Sequence, residues 1–450
     1  MENTKKMPTG FYFCALAFTF ERFAFYSAKW LITMFVAAKI INGGLGLTPA
    51  DGAKMSANLV ACTYFAPLIG CWISDRKIGA RYLVPVGLII MGAGYLVGWK
   101  ASSAGMINLM IILVSIGTGL FKSQVNAITG RLFNDQKQLD SAFSIQYSYV
   151  NIGSFIGTTS IGIIAASMGY SFCFLICAIM TLVYAVIFVF GWRFLGDAGK
   201  KPFKIDEHKE VKEAKQEEKK PLTKIEKKRV GAIILISFFS IIFWVFWQLA
   251  YMPVYFYWGG DNGLANWMIG SFEVPTVWFD SLNALCCIVL GPILGKVWAK
   301  LAKRPQGDMS MFKKTALGML LLGLSYVIFA MADVTRGNNL LPLAWLVVFG
   351  IILSLSEMVF SPLGNSFISK FSPAKMLTAM MSVWVLASFF AGKSFGYVYE
   401  FTLKFKFAPT YFVIAAIAIV CGIILWALDG RLNSLVIDEE VVEDNSVSLN

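Results

Sequence analysis

Seven ionisable side chains stand inside stretches of chain that are otherwise apolar: Glu21, Arg22, Lys29, Lys122, Asp280, Glu357 and Lys393. A charge at the centre of a bilayer costs about 2.5–3.5 kcal/mol on insertion scales, so such residues pair with one another or line a polar cavity. Arg22, Tyr26 and Lys29 recur at spacings of four and three, which places them on one helix face. Glu21 lies about 100° round from Arg22, close enough to reach the same polar sector. The uncharged polar partners are Tyr64, Asn151, Asn283, Trp384 and Ser388. The first half of the chain gathers positive charge at Arg22, Lys29 and Lys122, and the second half sets Glu357 opposite. A cavity positive at one end and negative at the other suits a zwitterion whose carboxylate and ammonium lie some distance apart, as in a short peptide. An arginine–carboxylate contact supplies orientation as well as energy, and aromatic walls accept varied side chains. Pairs such as Glu21 with Lys122 are also readable as structural ties or gate latches.

The elements that must position these residues follow from composition. Of 450 residues 57% are apolar and only 15% charged, with a mean hydropathy of +0.66, whereas soluble domains carry roughly 25% charged residues. An exterior facing lipid admits helices or closed barrels, because backbone polar groups must be satisfied internally. Barrel strands alternate over about ten residues; here the apolar runs last about twenty. Twelve helices are expected, near 11–41, 54–75, 79–98, 105–128, 141–166, 170–195, 229–257, 274–299, 311–332, 340–368, 376–401 and 408–430. Most Lys and Arg then fall on the side of the termini, so both termini are expected in the cytoplasm and the protein in the plasma (inner) membrane. The net charge of +12 is thus a topology signal rather than a nucleic-acid footprint. The first apolar run is too long for a signal-peptide core, so no cleavage is expected. All eight cysteines lie in expected helices and the single His208 in a charged loop, a pattern that offers neither a disulfide framework nor a metal site.

The strongly polar stretch 197–228 separates six helices from six and reads as a cytoplasmic linker, too poor in apolar residues to build a core. An acidic tail occupies 433–450. After the second helix comes Gly70-Cys-Trp-Ile-Ser-Asp75-Arg76-Lys-Ile-Gly79-Ala-Arg81, echoed after the eighth by Gly291-Pro-Ile-Leu-Gly295 running into Lys303-Arg304. The first resembles the loop motif of the major facilitator superfamily, in which an Asp and an Arg latch the halves together. The expected fold is an all-α membrane protein of the twelve-helix major facilitator type, with six-helix bundles at 1–196 and 229–432 around a central cavity.

Six further segments, in order along nearly the whole chain, resemble motifs of the proton-coupled oligopeptide transporters. They are Glu21-Arg22-Phe23-Ala-Phe-Tyr26, Gly117-Thr118-Gly119-Leu120-Phe121-Lys122, the run from Phe143 through Tyr147 and Asn151 to Gly153, Phe243-Trp244, Ser356-Glu357-Met-Val-Phe-Ser361-Pro362, and Met380-Met381-Ser-Val-Trp384. The resemblance implies import of di- and tripeptides with protons, by alternating access and without other cofactors, in a monomer. It places Arg22, Lys122 and Asn151 at the peptide carboxylate with Tyr26, Lys29 and Tyr64 beside them. Asn283 and Glu357 meet the amino end, and Trp384 and Ser388 line a side-chain pocket. The sequence departs from the family where a helix 1 glutamate is Phe18, where a proton-responsive helix 7 glutamate is Gln248, and where a helix 11 asparagine is Lys393. Asp280 is an added acid, so coupling and gating would rest on Glu21, Arg22, Lys122, Asp280 and Glu357. The 197–228 segment leaves no room for the two extra helices some family members carry between their halves.

Gly153-Ser-Phe-Ile-Gly157 and Gly117 with Gly119 read as close-packing sites rather than ligand loops. Trp258, Trp267 and Trp278 are expected as interface anchors. Carriage of another small anionic or amino-acid-like solute, favoured by the missing acids and Lys393, stays open beside the peptide reading. A membrane enzyme is disfavoured because no histidine stands within the spans, and a receptor or channel by the two-halved plan with opposed central charges.

Overall fold

The computed structural model describes residues 7–133, 135–202, 222–260, 262–305, 307–361, 363–373 and 376–436. Most of the expected linker and nearly all of the expected tail therefore lie outside the described residues. The first six long helices are α1 (Thr9–Ala37), α2 (Pro49–Arg76), α3 (Ala80–Trp99), α4 (Ala104–Arg131), α5 (136–168) and α6 (170–191). The second six are α7 (Lys224–Leu249), α8 (Trp278–Ala302), α9 (Met311–Arg336), α10 (Leu343–Phe360), α11 (Leu377–Thr402) and α12 (Phe407–Ala427). Among the described residues ten helical runs are long and apolar enough to cross a membrane. One of these, Gln138–Phe194, makes two crossings, because Gly169 at φ 81°, ψ 167° interrupts it, a left-handed φ that a residue without Cβ adopts readily. The remaining crossing is α1, whose Glu21, Arg22 and Lys29 lower its hydropathy. The chain ends alternate, so the two termini share one face, called here the terminal face; the opposite one is the far face.

Local chemistry sets several helix starts. Thr48 and Asp51 form a capping box on α2, and Thr223 and Glu226 another on α7, satisfying N–H groups that a helix end otherwise leaves orphaned. The second box places 224–228, expected in the linker, in the first turns of α7. Helix 10, expected as one span through 368, ends at Phe360 and restarts as Leu363–Phe371; the sequence there carries Pro362, a residue that cannot donate to the helix ladder. Helix 8 begins at Trp278 rather than 274, after a small antiparallel pair, Met268–Ile269 with Phe272–Glu273.

Packing repeats with an offset of six. Within the first half α1 packs on α5, α2 on α4, and α3 on α4 and α6; within the second, α7 packs on α11, α8 on α10, and α9 on α10 and α12. The principal contacts between the halves are the equivalent pairs α2–α11 and α5–α8. Glycines set the closest crossings. A Cβ on Gly153 would strike the Thr19 backbone, and one on Gly157 would lie 2.7 Å from the Phe23 carbonyl oxygen, so α5 meets α1 backbone to backbone.

Two expectations change here. Trp258 is fully buried, Trp267 donates to its carbonyl at 2.8 Å, and Trp278 donates across the halves to the Thr159 carbonyl at 3.0 Å. Trp258 is therefore a core ring, its indole N–H without a partner among the described residues, while Trp267 and Trp278 are half-buried and donate their indole N–H groups to carbonyls within the fold. Arg81, in the segment that resembles the latch motif, instead donates to the carbonyls of Gly196 and Ala198 just after α6. It ties the first half to itself, since the chain leaving α6 brings those carbonyls directly to it. Asp75 has no hydrogen-bond or ion-pair partner among the described residues.

Candidate functional site

A cavity of about 530 Å³ lies between the halves. Its lining runs from Lys29 and Trp247 to Asn126, Phe143, Gln146 and Ser361 near the terminal-face helix ends. On the far side the halves are fastened together. Trp30 Nε1 donates to Thr276 Oγ1 at 3.4 Å, Thr158 and Ser281 share a hydrogen bond of 2.8 Å, and Lys54 pairs with Glu400 at 2.7 Å. Lys393 donates to Asn58 Oδ1 on the same α2–α11 seam. The cavity is therefore capped on the far side and reaches toward the terminal face.

The first half supplies the cationic wall. α1 presents Arg22, Tyr26 and Lys29 on one face, as their spacing dictates. Arg22 is already engaged: its Nε and Nη2 donate to the two carboxylate oxygens of Glu21 at 2.5 and 2.6 Å, while its guanidinium lies 4.5 Å from the Phe25 ring centre. Glu21 is fully buried and stands behind the cavity wall. The expected Glu21–Lys122 tie is absent among the described residues, because the neighbouring guanidinium takes both oxygens. Lys122 on α4 projects into the cavity with its Nζ 5.4 Å from the Tyr64 ring centre, and it has no ion-pair partner among the described residues. Asn151 on α5 donates to the Tyr147 carbonyl one turn back at 3.0 Å.

The second half supplies the anion. Glu357 on α10 accepts from Asn283 Nδ2 on α8 at 2.7 Å, and Asn283 also donates to Ser354 Oγ at 3.1 Å. On α11, Trp384 and Ser388 face the cavity at the spacing of one turn. All ten residues expected around a substrate thus line one space, and Glu21 and Asp280 do not. Asp280 is buried beyond the closed end, accepts a hydrogen bond from Tyr255 Oη, and lies within electrostatic reach of Lys29 across the halves. Lys29 itself sits 4.4 Å from the Tyr251 ring centre. Lys393, expected near the site, belongs instead to the far-side seam.

The sequence reading missed several lining residues. Tyr147, Gln146 and Phe143 lie one and two turns before Asn151, so the same helical periodicity reaches them. Trp247 follows Trp244 by three positions on α7, and both line the cavity.

The Major Facilitator Superfamily pattern matches residues 18–397, and the chain belongs to that superfamily. Within it, the relatives matched along most of their length are transporters. The chain is similar to the uncharacterized transporter YclF of Bacillus subtilis, 25% identical over 425 residues that cover 85% of each chain. It is similar also to dipeptide and tripeptide permease A of Erwinia pyrifoliae, 24% identical with 87% and 86% covered. The crystal structure of a peptide transporter POT in complex with sulfate superposes with a TM-score of 0.85 at 24% identity, covering 95% of this chain and 96% of that one, which shows the shared fold.

Proposed function

We propose that the protein imports di- and tripeptides together with protons by alternating access. The observation that carries this reading is the unequal charge across the cavity: an unpaired Lys122 beside the committed Arg22 at one wall, and Glu357 held only by neutral partners at the other. A peptide carboxylate completes the first wall and its ammonium the second, while Tyr26, Lys29, Tyr64, Asn151, Asn283, Trp384 and Ser388 supply hydrogen bonds and aromatic walls. Relatives named as dipeptide and tripeptide permeases support the same cargo. The terminal face, rich in Lys and Arg, is the cytoplasmic one, so the capped far side faces outward and the conformation is inward-facing. The bundles 1–196 and 229–432 rock as units, and one chain suffices because the cavity is complete within it.

Protons enter through the carboxylates. Three acids stand near cations or the substrate: Glu21 with Arg22 and Lys122 inside the first bundle, Asp280 with Lys29 across the halves, and Glu357 with the substrate ammonium. Rocking of the halves alters the surroundings of Asp280, and substrate exchange those of Glu357. Asp280 supplies an acid on α8 where Phe18 and Gln248 supply none.

Uptake of labelled dialanine into proteoliposomes under an inward pH gradient, with unlabelled tripeptide as competitor, tests the proposal. Accumulation above equilibrium that a protonophore abolishes is the expected result. Uptake that merely equilibrates removes the coupling. Absence of uptake by folded protein favours the second reading, a carrier of another small anionic or amino-acid-like solute, for which the unpaired Lys122 is the supporting observation.

A further inference from the structure

Ten buried side-chain polar atoms have no hydrogen-bond partner among the described residues. Two of them belong to residues lining the cavity, and those residues are consecutive: Trp247 through its Nε1 and Gln248 through its Oε1. Trp247 is 5% exposed and Gln248 8%. An orphaned buried donor or acceptor costs about 1–3 kcal/mol, so each one in a native chain calls for an explanation. The indole is a donor only, and the amide oxygen an acceptor. They stand at the capped end of the cavity, where the Lys29 ammonium lies 5.7 Å from the Trp247 ring centre.

A lone donor and a lone acceptor on consecutive residues of the cavity lining are the complement of one chemical group, the secondary amide, which offers one carbonyl oxygen and one N–H. We infer that Trp247 and Gln248 form a subsite for the peptide bond, the indole N–H donating to the substrate carbonyl and the Gln248 oxygen accepting from the substrate N–H. This inference rests on the peptide reading above and adds to it. The charged walls read the two ends of a zwitterion and are indifferent to what joins them; the α7 pair reads the join. Neither atom is accessible in this conformation, so the subsite requires a side-chain rotation that brings both atoms onto the cavity wall as the halves rock. Because neither group ionises, the contact is present at every pH at which the protein is folded. A site built to hydrogen-bond a group rejects an analogue lacking it far more strongly than a greasy pocket rejects a size change.

The test compares dialanine with its ketomethylene isostere, in which CH₂ replaces the amide N–H and the carbonyl and both charged ends remain. Inhibition constants are measured against labelled dialanine in proteoliposomes. Wild-type protein should bind the isostere at least about tenfold more weakly. Gln248→Met should weaken dialanine and leave the isostere unchanged, so that the discrimination collapses. Trp247→Phe should weaken both ligands equally, since both keep the carbonyl. Equal binding of the two ligands by wild-type protein overturns the subsite whatever the variants do, and leaves the transport of peptides standing. Retained discrimination in Gln248→Met overturns the assigned role of Gln248. If wild-type protein binds neither ligand, the peptide reading itself falls, and this subsite with it.

Discussion

At the first-half wall of the cavity a guanidinium already holds a carboxylate in a two-point grip, and a lysine stands beside it without an anion. At the second-half wall a single glutamate leans on an asparagine amide. The first wall is therefore only partly neutralised: a substrate carboxylate must share Arg22 with Glu21 or turn to Lys122. The second wall offers a bare charge whose natural complement is the ligand. Buried ion pairs that keep both members are modest in net worth, whereas removal of one member strands the other at high cost. The two walls should accordingly fail in different ways.

The largest effect is expected from Glu21→Gln, which strands the Arg22 guanidinium and should lower folding stability by about 3–5 kcal/mol. Dialanine should recover part of this, since its carboxylate reaches the stranded Arg22 guanidinium from the cavity side; a smaller thermal shift on adding dialanine than wild type shows would break the comparison. Next comes Glu357→Gln. Loss of one partner of a buried charge pair costs about 2–5 kcal/mol, so KM for dialanine should rise about thirtyfold or more, while N-acetyl-dialanine, which lacks the ammonium, should bind as before. Equal losses for both ligands would show that Glu357 shapes the wall rather than reads the amino end. Lys122→Ala should raise KM for dialanine by about tenfold, the scale of one charge-assisted hydrogen bond, with Arg22 still available. Peptides ending in a carboxamide are the control and should be little affected. The smallest change belongs to the far-side seam. Lys54→Ala breaks a partly exposed pair with Glu400, and should shift the closed population by less than about fivefold. Spin-label distances between the far-face ends of α2 and α11 would register it.

The spans were legible because hydropathy over about twenty residues is a strong signal, and the cavity face of α1 because Arg22, Tyr26 and Lys29 keep helical spacing. Chain breaks were less legible. Helix 10 reads as one apolar run although its helix stops at Phe360, and the reversal at Gly169 depends on a backbone torsion. Partners were the least legible part. Glu21 has an arginine next to it and a lysine a hundred residues on, and only coordinates tell which of them it grips. Lys393 falls in the helix that lines the cavity with Trp384 and Ser388, yet its rotation about α11 points it at Asn58 instead. Trp258 has the composition of an interface anchor and the burial of a core residue. In each case the sequence specifies the residue and the helix, and the outcome is decided by rotation and neighbours that belong to the tertiary fold.

The α2–α11 seam has a further consequence through two glycines. A Cβ on Gly396 would sit 2.8 Å from Lys54 Cα, and one on Gly392 would sit 3.1 Å from the Ala61 nitrogen, so at these points the halves touch through main chain rather than interleaved side chains. Apolar burial is worth roughly 25 cal/mol per Å², and a contact between a glycine and a facing main chain buries little apolar area. Its opening wets correspondingly little oil and leaves no emptied socket to be refilled. A moving joint made this way keeps its two positions close in free energy, and so leaves the choice between them to the cargo.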